Sequence, residues 1–236
     1  MRIVTWNCRI GGFRWKAHRM AALRPDVLAI QEVEPIDDRL LFAGDLQPTF
    51  RDRCAPVGSI KRGLGMFSYT DTTIRPVDGP TPFSGIRRYE ASRNGVSFNV
   101  VGVWTWATGS AKTAYRQAHE GLQLHEQWIR ERPTVVLGDF NANASFKGKN
   151  WAQLLELLQG LGLASAYHSH YSTELFGAET LATHFHRGKS TAGFHLDYCF
   201  LPQEWTKHIE SVTVGGHAEW HEYSDHIPLV VDLSIG

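Results

Sequence analysis

Val27-Leu28-Ala29-Ile30 is an unbroken apolar run of strand length, and Val135-Val136-Leu137 after Thr134 is another. A strand with one wet face alternates apolar and polar residues. An unbroken run is expected instead of a strand covered on both faces. Such strands need a packed layer above and below, which restricts the chain to layered sheet architectures. Ile3 to Trp6 adds a short apolar strand at the start. Residues 45–110 form a β-rich stretch cut by Gly and Pro, with strands expected at 65–69, 86–92 and 96–104. Further strands are expected at 181–186, 195–201, 209–214 and 228–233.

Three helices are expected between them. Residues 14–23 carry Trp15, His18, Ala22 and Leu23 on one side. Arg24-Pro25-Asp26 then turns, because the residue before proline is pushed out of helical geometry. Residues 112–130 set Tyr115, Ala118, Leu122, His125 and Ile129 at helical spacing. Trp151, Leu154, Leu155 and Leu158 mark a third helix that stops near Gly160. The order fits one domain over 1–236, with two packed sheets and helices on their outer faces.

Twenty-four basic residues balance twenty-four acidic ones, so no global field steers the chain onto a polyanion. Cys8, Cys54 and Cys199 show no Cys-x-x-Cys spacing, which argues against a disulfide framework or a zinc knuckle. The N-terminus runs directly into the first strand without a signal-peptide pattern, and no apolar run reaches the length of a membrane span. A cytoplasmic location and a monomer are expected.

Polar islands sit at strand ends: Trp6-Asn7, Gln31-Glu32, Gly138-Asp139-Phe140-Asn141, His195-Leu196-Asp197-Tyr198 and Ser224-Asp225-His226. Hydrolysis of a phosphate ester needs a cation on the phosphate oxygens and an oriented water. Glu32, Asp225 and the Asn7 amide oxygen are hard donors of the kind Mg2+ takes. Asp139 and Asn141 lie two apart, so one can accept a proton from water while the other holds a phosphate oxygen. His226 paired with Asp197 would donate to the phosphate. Each residue also has a plainer reading: Glu32 as a solvated strand end, Asp139-Phe140-Asn141 as an Asx turn, and Asp197 and Asp225-His226 as strand caps.

The segments Ile3-Val4-Thr5-Trp6-Asn7, Asp26 to Glu32, Val136 to Asn141, Leu196-Asp197-Tyr198 and Ser224 to Leu229 resemble the endonuclease/exonuclease/phosphatase superfamily. That superfamily includes exonuclease III-like AP endonucleases, DNase I-like nucleases, sphingomyelinases and inositol polyphosphate phosphatases. The resemblance implies an α/β (α+β) fold, a four-layer αββα sandwich of two mixed sheets face to face with helices outside. It implies Glu32 as principal metal ligand with Asn7 and Asp225 nearby, and Asp139 as the residue that aligns or deprotonates water. It implies Asn141 as a phosphate-orienting amide and Asp197–His226 as the Asp–His pair. Trp104 falls where the family sets a Tyr, His or Asn against the phosphate, and His195 where AP endonucleases carry Arg; both are expected at the substrate. AP endonucleases also tend to be more basic and to carry longer DNA-gripping loops, and these departures, with His195, argue against abasic-site cleavage.

Two His-x-His pairs, His168/His170 and His184/His186, would each share a strand face if extended. They would then bind phosphate or a second metal such as zinc, or simply be exposed imidazoles. Trp104, Trp106 and Trp151 are candidate base-stacking residues. Arg87, Arg88, Lys112, Arg116, Lys147, Lys149, Arg187 and Lys189 are candidate rim cations. The leading expectation is a Mg2+-dependent phosphodiesterase acting on nucleic acid, DNA in particular, with Mn2+ able to substitute. The alternatives are a phosphoesterase for a small metabolite or lipid headgroup, and a non-catalytic binding module.

Overall fold

The computed structural model describes residues 1–35, 50–51, 62–79, 83–106, 111–146, 151–191 and 193–235, with backbone alone at 50, 51, 111–113 and 187. In chain order the first elements are β1 (Arg2–Asn7), α1 (Phe13–Leu23), β2 (Val27–Val33), β3 (Phe50–Arg51), β4 (Gly63–Ser68) and β5 (Thr73–Pro76). Next come β6 (Ile86–Arg93), β7 (Val96–Trp104), α2 (Ala111–Leu124), α3 (Glu126–Arg130), β8 (Thr134–Asp139), α4 (Trp151–Gly160) and β9 (Leu163–Ser165). The last are α5 (Ala166–His170), β10 (His184–Phe185), β11 (Gly193–Phe194), β12 (Asp197–Pro202), β13 (Ile209–Val214), α6 (His217–Trp220) and β14 (Leu229–Leu233).

Two mixed sheets result, ordered β13-β14-β1-β2-β4-β3 and β5-β6-β7-β8-β12-β9. The unbroken apolar runs are explained by where their alternate residues go. Val27 and Ala29 join Ile3, Val135 and Leu137 in the core between the sheets. Leu28 and Ile30 point the other way and pack with Phe13, Ala17 and Met20 of α1. Val136 likewise faces outward onto Tyr115, Ala118 and Leu122 of α2 and Leu154 and Leu158 of α4. The αββα sandwich therefore follows from the period-two geometry of strands with no polar face.

Three expectations change. The helix over 112–130 is broken at His125, whose N–H bonds to Leu122 O at 3.0 Å in a three-residue turn. The strand at 181–186 shrinks to His184–Phe185, because neighbouring backbone groups are taken by side chains. Leu181 N–H donates to Tyr167 Oη and Leu181 O meets His195 Nδ1, while Thr183 Oγ1 accepts from the N–H of both Leu196 and Asp197. His168 and His170 lie on α5, not on a strand, so they do not share a face. His186 leaves the strand in a 3-10 turn.

Both parallel pairs, β1–β2 and β7–β8, send their C-terminal ends to one edge of the sandwich. The antiparallel β12 brings its first residue opposite the last of β8, pairing Asp197 with Asp139. β14 runs antiparallel to β1, so the residues just before it reach the same edge.

His125 is buried, its Nδ1 has no hydrogen-bond partner among the described residues, and burial pushes its pKa down to about 4. Below the ordinary histidine value and above about 4, the unfolded chain takes up a proton that the folded chain refuses. Stability should therefore fall as pH drops through that window. Urea unfolding of the native chain and His125→Gln at pH 7.5, 6 and 5 checks this. A steeper decline in the native chain is expected, and equal declines would discount His125.

Candidate active site

The five polar islands meet at that edge. Asn7 sits at its centre: its Nδ2 donates to Asp139 Oδ2 at 3.0 Å and to Glu32 Oε1 at 3.3 Å. Its Oδ1 accepts from Arg9 N–H at 2.9 Å and keeps a second lone pair. Glu32 reaches the site through a bulge. The β2–β4 register slips between Gln31 and Val33, and Glu32 takes a left-handed φ of 57° as the extra residue. Its Oε2 accepts from Ile10 N–H at 2.9 Å and pairs with the Arg62 guanidinium.

Asp139 is fully buried. Its Oδ1 accepts from Asn141 N–H at 2.8 Å, which is the Asx turn of the plainer reading. Its Oδ2 receives Asn141 Nδ2 at 2.7 Å. The Asn141 amide also donates to Thr105 O at 2.7 Å. Both amide hydrogens are thus engaged, and Asn141 orients Asp139 where a phosphate-holding donor was expected.

His226 Nδ1 meets Asp197 Oδ2 at 2.8 Å, and both residues are buried. His226 Nε2 lies 3.9 Å from Asp139 Oδ2. Burial works against the imidazolium, but the carboxylates of Asp197 and Asp139 outweigh it and raise His226 to about 10. Burial raises Asp139 to about 7, against the favourable charge of His226. Ser224 fixes the loop: its hydroxyl donates to Asn7 O at 2.7 Å and accepts from His226 N–H at 3.0 Å. Asp225 stands at the rim, with Arg9 Nε 3.4 Å away.

Magnitudes separate these ion pairs. The Arg62–Glu32 side chains are 33% and 22% exposed, and such a pair contributes about 1 kcal/mol at most. A divalent cation competes readily for Glu32 on those terms. Removing one partner of the buried His226–Asp197 pair would cost about 3–5 kcal/mol. The donors fit a hard cation: the carboxylates of Glu32 and Asp139 converge on one amide, Arg62 already brings positive charge to Glu32, and Oδ1 of buried Asp197 lacks a partner among the described residues.

Two expected substrate contacts move into the core. Trp104 is 4% exposed and packs its ring 5.5 Å from Trp106. His195 is 2% exposed, bonded to Leu181 O at 2.8 Å and wedged between the rings of Tyr167 and Tyr198. Trp151 is buried as well. The exposed indole is Trp15, at the start of α1, with the Arg14 guanidinium 4.8 Å from its ring centre. Its exposure was hidden by its place on the apolar side of the expected helix. Of the candidate rim cations, Arg88 bonds Asp78 O and Arg116 pairs with Glu120. Lys147 and Lys149 lie outside the described residues, as do the side chains of Lys112 and Arg187.

A model of the Endonuclease/Exonuclease/phosphatase family matches residues 4–226. The chain belongs to that family. The family is generally one of hydrolytic phosphoesterases, typically dependent on a divalent metal. No curated protein matches the chain in sequence. Solved structures share its fold. The Xenopus laevis APE2 catalytic domain has a TM-score of 0.71 at 14% identity, covering 99% of this chain and 91% of that one. The Neisseria 3′ phosphatase NExo, bound to product DNA hairpin, has a TM-score of 0.69 at 18% identity and covers 100% of both chains. The AP endonuclease LMAP of Leishmania major has a TM-score of 0.69 at 14% identity, covering 100% of this chain and 88% of that one.

Gly138, the first residue of the family's Gly-Asp-Phe-Asn segment here, has φ 146°, and a Cβ there would lie 1.8 Å from Val103 O. Gly138→Ala must therefore push β7 from β8 just where Asp139 begins. A loss of about 3 kcal/mol is expected in chemical unfolding. Unchanged stability would contradict the strand spacing described.

Proposed function

We propose that this chain is a Mg2+-dependent phosphodiesterase acting on nucleic acid, DNA in particular. The observation that carries the proposal is the facing of buried His226 and Asp139 across 3.9 Å, each oriented by its own partners. Hydrolysis needs a proton acceptor for the attacking water and a donor for the phosphate oxygens. Asp139, oriented by Asn7 and Asn141, takes the proton from water. His226, kept protonated by Asp197, donates from Nε2 to a phosphate oxygen. Glu32 would hold the cation, with Asn7 and Asp225 as further oxygen donors. When bound, Mg2+ (or Mn2+ in its place) supplies neutralisation of the phosphate oxygens and of the leaving oxygen.

Two observations favour nucleic acid. The fold neighbours include a 3′ phosphatase holding a DNA hairpin and an AP endonuclease. Ile10, whose N–H donates to Glu32, is 67% exposed, and Trp15, 63% exposed at the start of the helix that follows, offers an indole face of the kind on which bases stack. A second reading, a small phosphorylated metabolite or lipid headgroup, is favoured by the zero net charge and by rim cations already paired, Arg9 with Asp225 and Arg62 with Glu32.

Asp139→Ala and His226→Ala should each slow Mg2+-supported hydrolysis of bis(p-nitrophenyl) phosphate at least about a hundredfold. Glu32→Ala should raise the Mg2+ concentration needed for half-maximal rate. Folded Asp139→Ala protein working at the native rate would remove the mechanism.

Trp15→Ala should raise KM for single-stranded DNA by about fivefold or more, while leaving the small ester unaffected. Equal KM values on DNA would move the substrate to the small-ester class.

A further inference from the structure

Thr183–Phe185 lies antiparallel to Asp225–Ile227. Phe185 N–H donates to Asp225 O at 2.7 Å, and Ile227 N–H donates to Thr183 O at 2.6 Å. These bonds flank the bridge between His184 and His226. The two histidines are therefore a non-hydrogen-bonded cross-strand pair, the arrangement that sets side chains closest on one face. Their ring centres are 4.6 Å apart. One donor atom from each of His184, Asp225 and His226 falls within 4.8 Å of the others. His184 Nδ1 is buried without a hydrogen-bond partner among the described residues. The partner of His184 is thus His226, not the His186 its spacing suggested.

We propose that His184, Asp225 and His226 form an inhibitory site for a transition metal such as Zn2+, beside the oxygen-lined site at Glu32 and sharing Asp225 with it. Two imidazoles and a carboxylate make a zinc donor set, with water as a fourth ligand. Mg2+ prefers oxygen and is not drawn to imidazoles. His226 is already braced as a ligand, since Asp197 occupies its Nδ1 and leaves Nε2 as the nitrogen for a metal. Zinc–ligand bonds of about 2.1 Å place neighbouring donors about 3.4 Å apart, so the cluster must tighten by about an ångström. His184 and Asp225 are only half-buried and can turn inward. Arg9, whose side chain is 45% exposed, is the charge that must release Asp225. The inhibitory role rests on the function proposed above: zinc on Nε2 takes the N–H that His226 would give the phosphate.

The test has two arms. The whole protein is titrated with Zn2+ against a chromophoric zinc chelator, and Mg2+-supported hydrolysis of bis(p-nitrophenyl) phosphate is followed as Zn2+ rises. His184→Gln and His184→Ala should each weaken the chelator-measured zinc affinity at least about tenfold. Both should keep the Mg2+-supported rate, and both should need at least about tenfold more Zn2+ for half inhibition. Equal zinc affinity in the native chain and both variants overturns the site. Zn2+ that raises the rate, or inhibits all three proteins alike, overturns the inhibitory role. If no ester is turned over, the proposed function falls, while the chelator titration still decides the zinc site.

Discussion

The hydrogen bond from Asn7 to Asp139, like that between His226 and Asp197, ties the two sheets together at the site. Asn7 ends a strand of one sheet and Asp139 ends a strand of the other, and the Asn7 amide donates across the gap at 3.0 Å. Glu32, on the strand next to Asn7 in the first sheet, shares the same amide nitrogen. Neither sheet alone holds a site. The face-to-face packing of Ile3, Val27 and Ala29 against Val135 and Leu137 sets the distance that this small amide spans. Packing of that kind resists small displacements, because interiors are filled to near crystal density.

The layers were legible in the sequence because apolar runs without alternation have one structural meaning. The convergence of the five islands was legible only through the family resemblance, since spacing along a chain does not say which strand ends share an edge. What remained hidden is side-chain accounting. Trp104 and His195 sit at positions adjoining the site, yet both are turned into the core. Asn141 is where it was expected, yet Thr105 O and Asp139 use both of its amide hydrogens. The short strand at His184–Phe185 reflects competition by Thr183, Tyr167 and His195 side chains that pattern reading cannot weigh.

Burial divides the charges of the site into two kinds. Asp139, Asp197 and His226 are removed from water and fix one another, and the protonation of Asp139 and His226 is set by their neighbours and not by the solvent. Glu32, Asp225, Arg9 and Arg62 stand at the rim in pairs that water weakens. The first set is built to keep a geometry, the second to exchange partners.

The Arg62–Glu32 pair then carries a thermodynamic consequence. On the function proposed, a divalent cation taking Glu32 would set the Arg62 guanidinium free beside it, and a guanidinium is a bidentate anchor for phosphate. A phosphate that draws Arg62 away uncovers Glu32 in turn. Cofactor and substrate would thereby strengthen each other's binding by the same factor, with one shared arginine as the coupling element.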